Sequence, residues 1–172
     1  MNKIIRPGDV LKKYGETYKI PNITKLASCF EIKTYLSDLL KQDNFCKIDK
    51  KCQEEFVRGL YIQYLLDNGS ISKRIVIEDS QTESLKRFTI AYLLSRYLLG
   101  KIDNNFDFAI DNNYDKESLM FARDLLIPDF LYKNQKGNKD INYIQEYYNV
   151  PDFIAASKIK KFGGIRWIAL KI

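Results

Sequence analysis

KRFTIAYLLSRYLLG, residues 86–100, decides the fold because it predicts a long helix with apolar side chains on nearly every side. Apolar positions recur at helical spacing and mark one face of this helix: Leu85, Phe88, Tyr92 and Leu99. Ala91, Leu94 and Leu98 widen that face until the last two turns are apolar almost all round. A helix of this kind is buried on most of its surface, so we expect it at the centre of the domain.

The predicted ends of this helix carry residues with capping chemistry. Ser80 and Glu83 have the S-x-x-E spacing of a capping box, in which each side chain accepts a backbone N–H of the other residue. Gly100 suits the left-handed conformation that closes a helix. These signals predict a helix over about residues 81–99, which would be roughly 28 Å long.

The residues before the helix predict a short helix and three strands. Pro21 precedes NITKLASCF, where apolar side chains recur at helical spacing. EIKTYL, residues 31–36, alternates apolar and polar side chains and predicts an edge or half-buried strand. An Asp-Asn-Gly turn at 67–69 separates two β-prone runs and predicts a hairpin with strands near 60–66 and 72–78.

The residues after the helix predict a polar connection and then further helices. IDNNFDFAIDNNYD, residues 102–115, is rich in Asn and reads as a loop. A helix starts around Asp115 and ends before Pro128, since proline cannot continue a helix. Two short helices flank the turn NVP at 149–151, and GIRWIALKI, residues 164–172, has the character of a strand.

The composition indicates one globular domain. The chain has 172 residues, of which 45% are hydrophobic and 29% charged, so we assign residues 1–20 to an N-terminal arm and 21–172 to a single domain. No stretch has the roughly 18 apolar residues that span a bilayer, and the charged N-terminus lacks the apolar run of a secretory signal. We therefore expect a cytoplasmic protein that does not enter the membrane.

Histidine is absent from the whole chain, which excludes every mechanism that depends on an imidazole as base or zinc ligand. The three cysteines, Cys29, Cys46 and Cys52, are an odd number without the spacing of a zinc knuckle or a disulfide framework. We expect free thiols, no bound metal and no cofactor.

RFTIAYLLSRYLLG, followed by ESLMFARDLLIPDF at 117–130, resembles the ImmA/IrrE family of small zinc metallopeptidases. Members of that family carry a helix like RFTIAHELGHYLLG and then the segment E-A-N-x-F-A-x-x-L-L-M-P. YIQEYYNVPDFIAASKIKKFG, residues 143–163, is similar to the closing helices of the family, and the resemblance extends over most of residues 21–165. It implies an α+β, zincin-like fold with a small antiparallel sheet packed on a long central helix.

The catalytic motif of that family is missing. Its H-E-x-x-H sequence supplies two zinc ligands and a general base. The corresponding positions here read Tyr92, Leu93, Leu94, Ser95 and Arg96. Of the ligand set that the resemblance implies, only Glu117 remains, and one carboxylate does not make a zinc site. We therefore expect no catalytic residue, and we treat these positions as a degenerate active site.

A buried Glu117 without zinc would need another partner, because an isolated buried charge is costly. In the family, the second histidine and this glutamate meet at one ion, so we predict an Arg96–Glu117 ion pair with Tyr92 beside it. The alternative is that Arg96 turns to solvent and that Glu117 is a surface acid in the first turn of a helix, where acids are favoured.

These expectations favour a pseudoenzyme, a regulatory or accessory factor of phage or mobile-element origin that binds another macromolecule, most simply a protein. An enzyme that uses Glu117 as acid or base and Arg96 as an anion site is a second hypothesis. A DNA-binding regulator is a third, since basic residues follow the helix–turn–helix-like segment: Lys158, Lys160, Lys161, Arg166 and Lys171. Exposed tyrosines often anchor interfaces, and we expect the Tyr147–Tyr148 pair to be exposed.

Overall fold

The computed structural model describes residues 5–15, 19–37, 57–103, 105–110, 113–137 and 139–163, which form an α+β fold. These residues contain seven helices: α1 (Pro7–Lys13), α2 (Ile23–Ser28), α3 (Glu83–Leu98), α4 (Lys116–Leu126), α5 (Asp129–Asn134), α6 (Ile141–Tyr148) and α7 (Asp152–Lys161). They also contain four strands: β1 (Ile32–Ser37), β2 (Val57–Leu65), β3 (Ile71–Glu78) and β4 (Phe106–Ile110).

The four strands form one mixed sheet in the order β1-β3-β2-β4. The predicted hairpin is confirmed as β2 and β3, and the predicted strand at 31–36 is confirmed as β1 at an edge of the sheet. The expectation of a purely antiparallel sheet is wrong, because β1 runs parallel to β3. The hairpin explains the difference. Strand β2 runs antiparallel to β1, and the hairpin turns the chain back, so β3 lies beside β1 and runs in the direction of β1.

Helix α3 is confirmed as the centre of the core. Eight consecutive residues, 88–95, are buried. The cap differs from the prediction: Ser80 donates its N–H to the Glu78 carboxylate, and the side chain of Thr82 accepts the N–H of Leu85, so the helix begins at Glu83. Gly100 has φ 66° and closes the helix as predicted. Neither α3 nor any other helix in the described residues is long and apolar enough to cross a membrane.

The sheet approaches α3 most closely at Gly59 of β2. A Cβ atom placed on Gly59 would lie 2.5 Å from Thr89 Cγ2 and 3.1 Å from the carbonyl oxygen of Val76. Both distances are shorter than normal carbon contacts, which lie near 3.5–4.0 Å. Glycine at this position therefore sets the separation between the helix and the sheet.

Strand β4 lies inside residues 102–115, which the sequence predicted as a loop. FDFAI pairs antiparallel with β2, and Ala109 and Ile110 are buried. The prediction missed this strand because it is only five residues long and its flanks are rich in Asn, which is typical of turns. The predicted strand at 164–172 lies outside the described residues.

The segment predicted as an N-terminal arm contributes to the same core. Helix α1 packs against α4, and its residues Val10 and Leu11 are buried. Pro7 is in the first turn of α1, where a backbone N–H has no partner within the helix, so proline costs no hydrogen bond there. The described part of residues 1–20 is therefore packed onto the domain.

A buried ion cluster joins the C-terminal helices. The ammonium group of Lys158 on α7 is completely buried and binds Asp124 on α4 at 2.8 Å and Asp129 on α5. Lys161, one turn further along α7, binds the same two carboxylates at the surface. Burial acts to raise the pKa of Asp124, but a hydrogen bond from Arg123 and the contacts with Lys158 and Lys161 hold it down at about 2. The cluster fixes how α7 packs on α4.

Candidate functional site

The positions where the family resemblance places the catalytic motif lie on the buried face of α3. Tyr92 and Leu93 are almost fully buried, at 1% and 0% exposure. The side chain of Leu93 points towards the sheet, where its Cδ1 atom lies 3.4 Å from the Cβ position of Gly59. Leu93 therefore fills the space between helix and sheet, and it brings no polar group to the site.

The hydroxyl group of Tyr92 ties α3 to the start of α4. It accepts the backbone N–H of Asp115 at 3.0 Å, and burial raises the pKa of this tyrosine. Its ring packs against Phe88 and Tyr114, and Phe153 of α7 closes the cluster with a ring centroid 5.0 Å from that of Phe88. Aromatic packing thus occupies the surroundings of Tyr92.

Arg96 makes an ion pair with Asp107 of β4. Both side chains are mostly buried, at 19% and 16% exposure, and the guanidinium also donates to the carbonyl oxygen of Lys101 at 2.9 Å. Burial acts to lower the pKa of Arg96, but the hydrogen bond and the charge of Asp107 outweigh it, so the pKa is raised. Arg96 is therefore held as a cation by groups of this chain.

The predicted Arg96–Glu117 pair is wrong. Glu117 is 64% exposed and binds Lys101 at 2.7 Å, while Arg96 turns towards β4. Lys101 also binds Asp115, so it joins the end of α3 to the start of α4. Half of the alternative is observed: Glu117 is a surface acid in the first turn of α4, but Arg96 does not turn to solvent. Asp107 was missed because β4 was predicted as a loop.

The zinc ion that the resemblance implies does not fit these residues. A zinc site needs several anionic or neutral side chains that offer a lone pair to the metal. The guanidinium of Arg96 offers only N–H groups and a positive charge. The hydroxyl of Tyr92 already accepts a backbone N–H, and Glu117 lies on the surface beside Lys101. A search of the described residues for clusters of three or more His, Cys, Asp or Glu side chains suited to a metal found none.

The basic residues proposed as a nucleic-acid site are not all available at the surface. Lys158 is buried in the ion cluster, which corrects its assignment to a surface that contacts DNA. Lys161 is bound by Asp124 and Asp129, and Lys160 is exposed. Arg166 lies outside the described residues, as does Lys171. The sequence could not show this, because the carboxylates that bind Lys158 are about 30 residues away in the chain.

The tyrosine prediction is half correct. Tyr147 is 49% exposed and stacks on Tyr143, with ring centroids 5.7 Å apart. Tyr148 is buried, and its hydroxyl donates to Gln135 at 3.2 Å. Cys29 is an exposed free thiol, whereas Cys46 and Cys52 lie outside the described residues.

Comparison with protein-family models identifies the family. The model of the IrrE N-terminal-like domain, which is classed as a peptidase, matches residues 51–160. These residues include α3, α4 and the positions of Tyr92, Arg96, Asp107 and Glu117 described above. Searches of curated proteins and of solved structures found no match.

Proposed function

This chain belongs to the family of IrrE N-terminal-like domains, and from that premise we propose that it is a catalytically inactive member that acts by binding a protein. It works as a regulatory or accessory factor in the cytoplasm, and its origin is a phage or another mobile element, in keeping with the resemblance stated above. We also assign its α+β fold to the zincin-like class on the same resemblance.

The Arg96–Asp107 ion pair carries this proposal. A cation stands where the family places a zinc ligand, and it is neutralised by a carboxylate from a neighbouring strand. The position of the general base holds Leu93, which cannot accept a proton, and the chain has no histidine. The helix is thus retained as part of the core, while the groups that would activate water are missing.

Binding to a protein is favoured by exposed aromatic side chains on α6. Tyr143 and Tyr147 stack on each other and are 38% and 49% exposed. Tyrosines contribute large contact area at low entropic cost and are enriched among the residues that dominate binding energy. DNA binding has less support, because Lys158 is buried and Lys161 is bound by carboxylates.

A peptidase assay tests the inactive state directly. We expect that the purified protein, incubated with labelled casein and with a mixture of fluorogenic peptides, gives no cleavage above buffer, with or without added zinc. The matched control is Glu117→Gln, which should behave as the unmodified protein does, since Glu117 is a surface acid. Zinc-dependent cleavage that Glu117→Gln abolishes would show that this carboxylate is a ligand and that the protein is an enzyme.

A further inference from the structure

The turn between β2 and β3 carries an asparagine that is followed directly by a glycine. Asn68 is the only asparagine in the sequence with glycine after it. The other asparagines in the described residues precede larger residues, which are Ile23, Phe106, Tyr114, Gln135, Tyr143 and Val150. A side chain on the following residue shields the backbone nitrogen of that residue, and glycine has no side chain. Among these sites, the nitrogen of Gly69 is therefore the one most open to the side chain of the preceding asparagine.

The turn stands clear of the rest of the protein. Residues 65–71 are all exposed, and a Cβ atom placed on Gly69 would meet no atom within 4 Å. The N–H of Gly69 donates to the carbonyl oxygen of Leu66 at 2.8 Å. A hydrogen bond at an exposed loop tip opens locally at a small cost in free energy. The nitrogen of Gly69 can therefore leave this bond while the sheet stays folded.

The side chain of Asn68 is folded back over the residues that follow it. Its Oδ1 atom accepts the backbone N–H of Ser70 at 3.0 Å and the hydroxyl group of Ser70 at 2.7 Å. A bond of this kind to the residue two positions on is an Asx turn, in which the side chain mimics a backbone turn. Two donors on Oδ1 also stabilise the negative charge that this oxygen gains when a nucleophile attacks the amide carbon Cγ. The side-chain amide of Asn68 is thus both held near the backbone and activated.

We propose that Asn68 is a site of spontaneous deamidation in the folded protein and that the hydroxyl group of Ser70 promotes the reaction. Asparagine is among the thermolabile residues. Solvent hydroxide removes the proton from the nitrogen of Gly69, and this nitrogen attacks Cγ of Asn68. The new N–Cγ bond closes a succinimide ring, while the side-chain nitrogen takes a proton from water and leaves as ammonia.

Water then opens the ring by cleaving one of its two C–N bonds. Cleavage at Cγ gives aspartate at position 68, and cleavage at the main-chain carbonyl gives isoaspartate. The reaction consumes one water molecule overall and releases one ammonia molecule, with no oxidation or reduction. Either product lowers the net charge of +6 by one unit.

The two products act differently on the hairpin. Aspartate keeps the main chain of Asn68, and its carboxylate accepts both bonds from Ser70 more strongly because it is charged. Isoaspartate routes the main chain through Cγ and lengthens the turn by one atom, and the register of a hairpin depends on the length of its loop. Because β2 and β3 are the two central strands of the sheet, isoaspartate should loosen the pairing of Leu65 with Ile71.

The test follows the peptide of residues 59–73, which trypsin releases by cleaving after Arg58 and after Lys73. The folded protein is incubated at neutral and at mildly alkaline pH, and a digest of unincubated protein gives the background. Mass spectrometry measures the fraction of this peptide that has gained about 1 Da, the difference between an amide and an acid. We expect the gain to rise with hydroxide concentration, while the peptides that contain Asn105 and Asn149 keep their mass over the same time.

Two variants isolate the role of the hydroxyl group. Ser70→Ala should slow the reaction about threefold or more, the scale of one neutral hydrogen bond that strengthens as charge develops on its acceptor. Ser70→Thr is the matched control, because it keeps the hydroxyl and should react within about twofold of the unmodified protein. Ser70 is exposed, so both variants should fold. In concentrated urea all three proteins should react at similar rates, because the turn that places the hydroxyl on Oδ1 is lost.

The proposal would be overturned if peptide 59–73 kept its mass as long as the other asparagine peptides, or if Ser70→Ala reacted as fast as Ser70→Thr in the folded protein. Modification in urea without modification of the folded protein would also overturn it, because the turn would then protect Asn68. Each of these results leaves the catalytically inactive state untouched, since no step involves Arg96, Asp107 or Glu117. Conversely, zinc-dependent hydrolysis would refute the inactive state and leave the chemistry at Asn68 unchanged.

Discussion

Lys158→Met should lower the free energy of unfolding by about 3 kcal/mol, the lower end of the range for removing one member of a buried ion pair. Methionine fills much of the volume of the lysine side chain, so the loss comes mainly from charge. Asp124, whose side chain is 19% exposed, would keep its negative charge with one cation fewer. Lys161 still binds both carboxylates in the variant, which holds the effect at the lower end.

The matched control for this prediction is Lys161→Met. Lys161 binds the same carboxylates from the surface, where ion pairs contribute about 1 kcal/mol or less. Urea unfolding followed by circular dichroism measures both variants under the same conditions. If Lys158→Met proved as stable as the unmodified protein, the cost of burying the ammonium group would equal the gain from its two carboxylates, and the cluster would not stabilise the packing of α7.

Gly59→Ala should destabilise the protein by about 3 kcal/mol, because the added methyl group overpacks the contact between β2 and α3. The methyl carbon would lie 2.5 Å from Thr89 Cγ2 and 3.1 Å from the carbonyl oxygen of Val76. Thr89 is completely buried on the central helix, so relief requires the helix and the sheet to separate. Denaturant unfolding should report the loss.

A second substitution identifies the clash. Thr89→Ser removes Cγ2 and keeps the hydroxyl that donates to Gln81 at 3.3 Å. Gly59→Ala combined with Thr89→Ser should therefore be more stable than the sum of the single changes predicts, by about 1 kcal/mol or more. Gly8→Ala is the control, since a Cβ at Gly8 meets no atom within 4 Å. Strict additivity of the two changes would show that α3 does not approach β2 as closely as described.

The sequence predicts the central helix and the hairpin well because both depend on local signals. The apolar positions from Phe88 to Leu98 repeat at helical spacing, and the turn at 67–69 has residues that tolerate positive φ. Gly69 indeed has φ 77°. The cap was misplaced by two residues, because Ser80 and Thr82 carry the same hydroxyl chemistry, and in the structure Thr82 accepts the N–H of Leu85.

The polar contacts of the site were not predictable, because they join residues whose spatial order the sequence does not show. Several acids follow Arg96 closely in the sequence. Arg96 pairs with Asp107 because β4 pairs with β2 and so brings Asp107 to the end of α3. Glu117 is bound by Lys101 because the turn after α3 directs that lysine towards the start of α4. Tertiary placement therefore decided which acid each cation meets.

In the inactive member proposed above, these contacts stabilise α3 where the family carries H-E-x-x-H. The hydroxyl of Tyr92 binds the backbone of Asp115, and the guanidinium of Arg96 binds Asp107, so the polar groups at these positions are satisfied within the chain. Leu93 contributes packing against the sheet. The central claim is that side-chain contacts stabilise this region in place of an ion.

The zinc content of the protein, measured by mass spectrometry after purification with added zinc and extensive dialysis, tests that claim most directly. The account predicts zinc far below one equivalent, and the same value for Glu117→Gln. One tightly held equivalent in the unmodified protein that is lost in Glu117→Gln would contradict it, because this carboxylate would then be a metal ligand.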